Sequence, residues 1–393
     1  MRPALQLPQE ASQEARPYQV CTRCIMDTSD ATIRFDDDGV CHHCHRYAEL
    51  ADQLVRHDAA GQREMDQIVE TIKQHGKDKA YDCAIGVSGG VDSTYAAYVT
   101  RQLGLRPLAI HMDNGWDSEL AVSNIEKVLK HLEIDLYTHV LDWEEFKDLQ
   151  LSFLKASVSD AEIPTDHAIA AVIYRVAAEK GLSYIISGGN VVTEAILPAT
   201  WTYGILDWRY IKAVHRQFGR VRLRRFPHVS LRDWFYFSAV KKMQTIRLLN
   251  YLPYSKKEAM RVLQGELGWR YYGGKHYESI YTRFFQGYIL PRKFNMDKRR
   301  PHLSTLICSG ELTRAEALEE MRHNPYTEQM QHEDREYVIK KLGLTEMQFD
   351  EIMARPLRTH DDYPNSEQWL RMLRQAYRAA KRLIPMPRID SPL

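Results

Sequence analysis

Ala84-Ile-Gly-Val-Ser88-Gly89-Gly90-Val91-Asp92-Ser93-Thr94 is the stretch whose reading decides the fold. It joins an apolar run over 81–87, which reads as a buried strand, to a segment over 92–103 with helical spacing. Gly89 and Gly90 let the backbone bend tightly and approach a ligand with no Cβ in the way. Their amides, with those at the helix start, converge into an anion nest, and Ser88, Ser93 and Thr94 add hydroxyls. A pyrophosphate is the ligand such a nest suits. The G-x-x-x-x-G-K-[ST] lysine is missing, so this is not a Walker loop.

Outward from the loop, short apolar runs alternate with amphipathic segments. Strands are expected over 81–87, 106–112, 136–140 and 184–187, and helices over 92–103, 119–132, 143–157 and 166–180. This rhythm predicts an α/β fold, a doubly wound parallel sheet covered on both faces. Right-handed crossovers put the strand C-termini on one edge, where ligands bind. Two further loops reach that edge. His111-Met-Asp113-Asn114-Gly115-Trp116 ends the second strand, and Ile186-Ser187-Gly188-Gly189-Asn190, followed by Thr193 and Glu194, ends the fourth. As bland readings, the first is an Asn-Gly turn and Glu194 a solvated charge.

Four of six cysteines sit early as Cys21-Thr-Arg-Cys24 and Cys41-His-His-Cys44, with 16 residues between the pairs. Thiolates at this spacing can close a tetrahedral Zn2+ site, and a small module with little core needs such a staple. Cys21, Cys24, Cys41 and Cys44 suffice as ligands. His42, His43 and His45 read as solvent-exposed neighbours. A closed site of four thiolates has no open position, so its expected role is structural.

Beyond residue 200 the chain turns aromatic-rich and then helical. Trp269-Arg-Tyr-Tyr-Gly273-Gly274-Lys275-His276-Tyr277-Glu278-Ser279 and Tyr281-Thr-Arg283-Phe-Phe-Gln286-Gly287 interleave aromatic, basic and glycine residues. Such density is often core or solvated surface. The Gly-Gly-Lys-His element is nevertheless a loop, and Lys275 or Arg283 could neutralise pyrophosphate or a substrate phosphate. Thr313-Arg-Ala-Glu316 and Thr345-Glu-Met-Gln348 read as capping boxes opening helices, and a last amphipathic helix is expected over 366–383.

The formal net charge is +1 on 393 residues, so no global field calls for nucleic acid or a membrane. No run approaches the roughly 18 apolar residues of a membrane helix. The first residues, with Pro3, Pro8 and Pro17, read as a disordered tail, and the expected location is cytoplasmic. The expected organisation is a tail over 1–17, a zinc module over 18–50, a nucleotide domain over 51–200, and a substrate-binding and helical region over 201–393.

The S-G-G-V-D-S loop resembles the pyrophosphate loop of the N-type ATP pyrophosphatases (the PP-loop superfamily), in which a substrate oxygen attacks the ATP α-phosphate. The resemblance implies that Ser88, Gly89, Gly90, Asp92 and Ser93 hold the β- and γ-phosphates, with Asp92 near Mg2+. It implies an adenosine contact at Asp113 and a second nucleotide loop at Gly188, Gly189, Asn190 and Glu194, where Glu194 helps hold Mg2+.

Cys-Thr-Arg-Cys-Ile-Met-Asp-Thr before that loop, Gly-Gly-Lys-His-Tyr-Glu-Ser after it, and Phe-Gln-Gly-Tyr-Ile-Leu-Pro-Arg-Lys-Phe leading to Asp297-Lys-Arg-Arg together narrow the likeness. Over about residues 18 to 325 the chain resembles the N-acetyl sugar amidotransferases of WbpG and PseA type, from lipopolysaccharide and sialic-acid-like sugar biosynthesis. That likeness implies conversion of an acetamido group into an acetamidino group with ATP, on a nucleotide-linked or nonulosonic sugar, as in O-antigen synthesis. It also implies ammonia from a separate glutaminase with a cyclase-like barrel subunit, and no nucleic acid partner. Asp92, Lys275 and Arg283 are then the candidate catalytic residues. The competing readings are a tRNA-thiolating enzyme, which would need catalytic cysteines near the nucleotide site or an iron–sulfur cluster, and a non-catalytic zinc-module adaptor.

Overall fold

A computed structural model describes residues 17–367, with 369 and 372. The expected tail, Pro17 excepted, and most of the helix expected over 366–383 lie outside the described residues.

Five parallel strands form the sheet: β1 (Cys83–Gly86), β2 (Pro107–Asp113), β3 (Leu136–Val140), β4 (Tyr184–Ser187) and β5 (Gln244–Arg247). Their order is β3-β2-β1-β4-β5. The central strands are buried almost throughout, which is why they read as continuous apolar runs. The pleat sends alternate side chains of β1 into two cores. Ala84 packs with Phe146 and Val172 on one face, while Cys83 and Ile85 pack with Val91, Ile125 and Leu263 on the other. Helices Val91–Gln102, Glu119–His131, Trp143–Ala156 and Ile163–Glu179 follow the expected rhythm. The last opens three residues earlier than expected, with Pro164 in its first turn.

The strand order reverses between β1 and β4, so the loops after them flank the topological switch point. β5 was not among the expected strands. It comes from beyond residue 200, is four residues long and only partly buried, and Lys241 and Lys242 precede it. Too little alternation survives there to mark a strand, and the sheet draws on the chain past the expected domain boundary.

The C-terminal region is mostly helical, and both expected capping boxes are present, at Thr313 with Glu316 and at Thr345 with Gln348. Phe285–Phe294 is wound as a π-helix around Pro291. The cysteine module packs against helices Val191–Glu194 and Arg299–Ser309, and Val191, Ile196 and Ile307 join its core. Arg314 ties it down by donating to the carbonyls of Cys24 (3.0 Å) and Cys21 (3.1 Å). No helix among the described residues is long and apolar enough to cross a membrane.

Candidate functional site

The loop after β1 turns at Gly89, whose φ of +78° favours glycine. A side chain there would also meet the Ala121 carbonyl at 3.0 Å. Trp269 Nε1 donates to the Gly89 carbonyl (3.0 Å) and fixes the bend from outside. Helix Val91–Gln102 starts at once, so its first amides face the loop. Ser88 and Ser93 hydroxyls lie 3.1 Å apart, and the Gly90 amide donates to Ser88 Oγ (3.3 Å). These neutral bonds are weaker than charge-assisted ones, so an anion outcompetes them.

The loop after β4 lies directly on that helix start. A Cβ at Gly188 would sit 2.7 Å from the Ser93 nitrogen and 2.8 Å from the Asp92 carbonyl, so no other residue fits without moving one loop. Asn190 caps the short helix Val191–Glu194 by accepting from the Thr193 amide. Thr193 and Glu194 are thereby brought to Asp92.

Asp92 is where the charges meet. One carboxylate oxygen accepts from the Tyr254 hydroxyl and the other from Thr193 Oγ1 (3.4 Å). Burial and the charge of Glu194 push its carboxyl up, while Lys256 and Lys275 pull it back. Lys275 Nζ stands 3.8 Å from Glu194 and 3.4 Å from His302 Nδ1. Burial and the two lysines hold His302 neutral, well below the usual imidazole range. Burial lowers the Lys256 ammonium too, against the pull of Asp92. For Glu278, burial pushes up, but His276 3.4 Å away outweighs it and the carboxyl ends below its usual range. Asp92, Lys256, His302 and Glu278 all keep partial solvent access. Partly exposed beside the two glycine loops, these groups line the cleft between them.

The structure thus gathers Ser88, Gly89, Gly90, Asp92, Ser93, Gly188, Gly189, Asn190, Glu194 and Lys275 at the switch point. Asp113 ends β2 at the same sheet edge, and its carboxylate accepts from the Gly115 amide (2.7 Å), shaping the turn. Arg283 does not join them. Its guanidinium makes a bidentate pair with Asp334 (2.8 and 2.7 Å) between the rings of Tyr277 and Tyr326. That side chain is committed to packing the C-terminal helices, a correction to its expected clamp role.

Tyr254, Lys256, Glu278 and His302 were missed. Lys256 had a legible signal: it opens helix Lys256–Leu267, where a cation opposes the helix dipole. The others converge only through tertiary packing.

The four early cysteines lie buried, with every Sγ within 4.8 Å of the others. Sγ separations are 3.9 Å (Cys21–Cys44), 3.6 Å (Cys24–Cys41) and 3.7 Å (Cys41–Cys44). Tetrahedral zinc with bonds of about 2.3 Å needs edges of about 3.8 Å, so the set fits the ion. Backbone amides of Cys24, Met26 and Cys41 point at these sulfurs (3.2–3.4 Å). One expectation is corrected nearby: His43 is buried against Asp30 (2.8 Å) rather than exposed. Cys308 stands 3.7 Å from Cys44. Cys83 lies in β1, fully buried, and burial pushes its thiol up.

Residues 278–377 match the family model described as "LPS biosynthesis protein WbpG-like, C-terminal domain". The matched stretch begins at Glu278 and includes Arg283, Lys298 and His302. The chain is 30% identical over 127 residues to an uncharacterized protein of Methanocaldococcus jannaschii, covering 32% of this chain and 44% of that one. It is 31% identical over 115 residues to the tRNA-specific 2-thiouridylase of Helicobacter hepaticus, covering 27% of this chain and 33% of that one. The chain thus matches less than half the length of these curated relatives. An NH3-dependent NAD synthetase from Campylobacter jejuni aligns with 52% of this chain and 84% of its own, at 16% identity and a TM-score of 0.28.

Proposed function

We propose that the chain binds ATP in the cleft at residues 88–93, adenylates the acetamido oxygen of an N-acetylated sugar, and lets ammonia displace AMP to give an acetamidino group. The observation that carries this is the pairing of two carboxylates, Asp92 and Glu194, with two lysines, Lys256 and Lys275, around a glycine nest. Polyphosphate with a divalent cation brings charges of both signs, and this set answers both. A magnesium ion, which Asp92 and Glu194 would hold, offsets phosphate charge when bound.

The chemistry explains the use of ATP. An amide oxygen is a poor leaving group. Its attack on the α-phosphorus forms an O–P bond and expels pyrophosphate, and the carbon then carries AMP as leaving group. Ammonia's lone pair makes the C–N bond as the C–O bond to AMP breaks. Lys256 and Lys275 are placed to neutralise the departing pyrophosphate. The WbpG-like domain at residues 278–377 supports the sugar reading. We further propose a cytoplasmic setting, and a separate glutaminase with a barrel subunit as ammonia source. The thiolation reading loses support at Cys83 and Cys308, one buried in β1 and one against the zinc cysteines.

Pyrophosphate release with ATP, ammonium acetate and a panel of nucleotide-linked N-acetylhexosamines and N-acetylated nonulosonic acids tests the reading. One substrate should release pyrophosphate and AMP stoichiometrically with a product one mass unit lighter, since NH replaces O. Release of ADP and phosphate instead would contradict it.

A further inference from the structure

The two edges of the sheet are finished differently. β5, at one edge, follows Lys241 and Lys242 and ends in Arg247. Cations along an edge keep foreign strands away. β3, at the other edge, reads Leu136-Tyr-Thr-His-Val140 and holds no lysine, proline or acidic residue. Leu136, Tyr137 and Val140 are 39%, 36% and 67% exposed. An apolar, unguarded edge is a template for another strand.

The register with β2 decides which backbone groups of β3 are free. Ala109 pairs with Leu136, and Asp113 with Val140. The Ala109 amide donates to the Asp135 carbonyl, and the Leu141 amide to the Asp113 carbonyl (both 2.9 Å). In a parallel ladder this pattern bonds residues 135, 137, 139 and 141 to β2. The N–H and C=O groups of Leu136, Thr138 and Val140 therefore point away from the sheet. None of them has a hydrogen-bond partner among the described residues.

We propose that β3 pairs antiparallel with the same strand of a second copy of this chain, about a two-fold axis through Thr138. The free residues are spaced symmetrically about Thr138, with a large apolar side chain at each end. In this register Thr138 exchanges both of its bonds with the partner's Thr138. Leu136 does the same with the partner's Val140, so every outward donor meets an outward acceptor. The side chains agree with the backbone. Leu136 lies against the partner's Val140 on one face, and Tyr137 against the partner's His139 on the other, and no like charges oppose. A slip of two residues either way leaves Val140 or Leu136 with no strand residue facing it. Parallel pairing would be head-to-tail and would not close, whereas the two-fold arrangement does. It joins two five-stranded sheets into one continuous sheet. The pairing does not depend on what the cleft binds.

A single strand pair is a small interface, so sedimentation velocity of the full chain from about 1 to 100 μM should carry it from monomer to dimer. Hydrogen exchange should show the Leu136, Thr138 and Val140 amides gaining protection over the same range. Thr138 is exposed, and its outward amide makes no bond to β2, so Thr138→Lys sets two like charges at the axis without touching the ladder. That variant should keep the wild-type melt and stay monomeric throughout. A wild type that is still monomeric at the top concentration overturns the pairing. So does a dimer whose three β3 amides exchange freely, or one that Thr138→Lys leaves intact. The exchange measurement needs no variant, so it decides even where Thr138→Lys folds poorly.

Discussion

Two groups of carboxylates differ in what faces them. Around the loop at 88–93, Asp92 and Glu194 meet Lys256 and Lys275. At the start of helix Ile163–Glu179, Asp160, Glu162 and Asp166 meet Lys298. Burial raises Asp92 and Asp166 alike, but in the cleft two lysines return much of the cost. A balanced set suits a ligand that carries both signs. The lesson is that burial raises both aspartates, and the neighbours decide how much of that cost is returned.

What the clusters share is tested first, because the effect is largest. His302 and Lys298 belong to one helical segment packed on the cysteine module. Zinc chelation, or Cys21→Ser, should unfold the module and lower the melting temperature of the whole chain, as calorimetry with and without chelator would show. An unchanged melt would separate the module from both groups.

Asp92→Asn should cut pyrophosphate release on the order of 100-fold, by loss of one preorganised charge. Asp166→Asn should leave nucleotide affinity unaltered. Equal losses of affinity in the two variants would place both carboxylates in one site. Arg283→Ala sharpens the boundary from the other side. Breaking its buried pair with Asp334 should cost about 3 kcal/mol in denaturant unfolding, with ATP affinity unchanged.

The loop, strands β1 to β4 and the four-cysteine cluster were legible because each depends on neighbours close in sequence. Glycines, an apolar run and paired cysteines state their chemistry locally. Arg283 was misplaced because its partner lies 51 residues away. Tyr254, 162 residues from Asp92, could not be matched to it by any spacing rule. β5 was lost because a short, half-buried edge strand carries little periodicity. The bond from Gln286 to Glu162, 124 residues apart, was unreadable for the same reason as that of Tyr254.

A smaller effect follows from pH. The Asp166 carboxyl is raised, so its contribution to stability is full below the unfolded value of about 3.9 and is lost as pH rises through the folded value. Asp166→Asn should flatten that part of the unfolding profile. His167 acts with the opposite sign. Burial depresses it to about 4, and the Val229 amide donates to its Nε2 (3.1 Å). Its contribution is present above about 6.5 and is lost as pH falls through 4, and His167→Gln should weaken that acid sensitivity.

Calorimetric titration of the wild-type chain, Gly188→Ala and Lys256→Ala with magnesium and α,β-methylene-ATP probes the nucleotide cleft most directly. Binding in the wild type that is lost in Gly188→Ala and at least tenfold weaker in Lys256→Ala is the predicted result. Equal affinity in all three proteins would contradict a triphosphate seated between the two glycine loops.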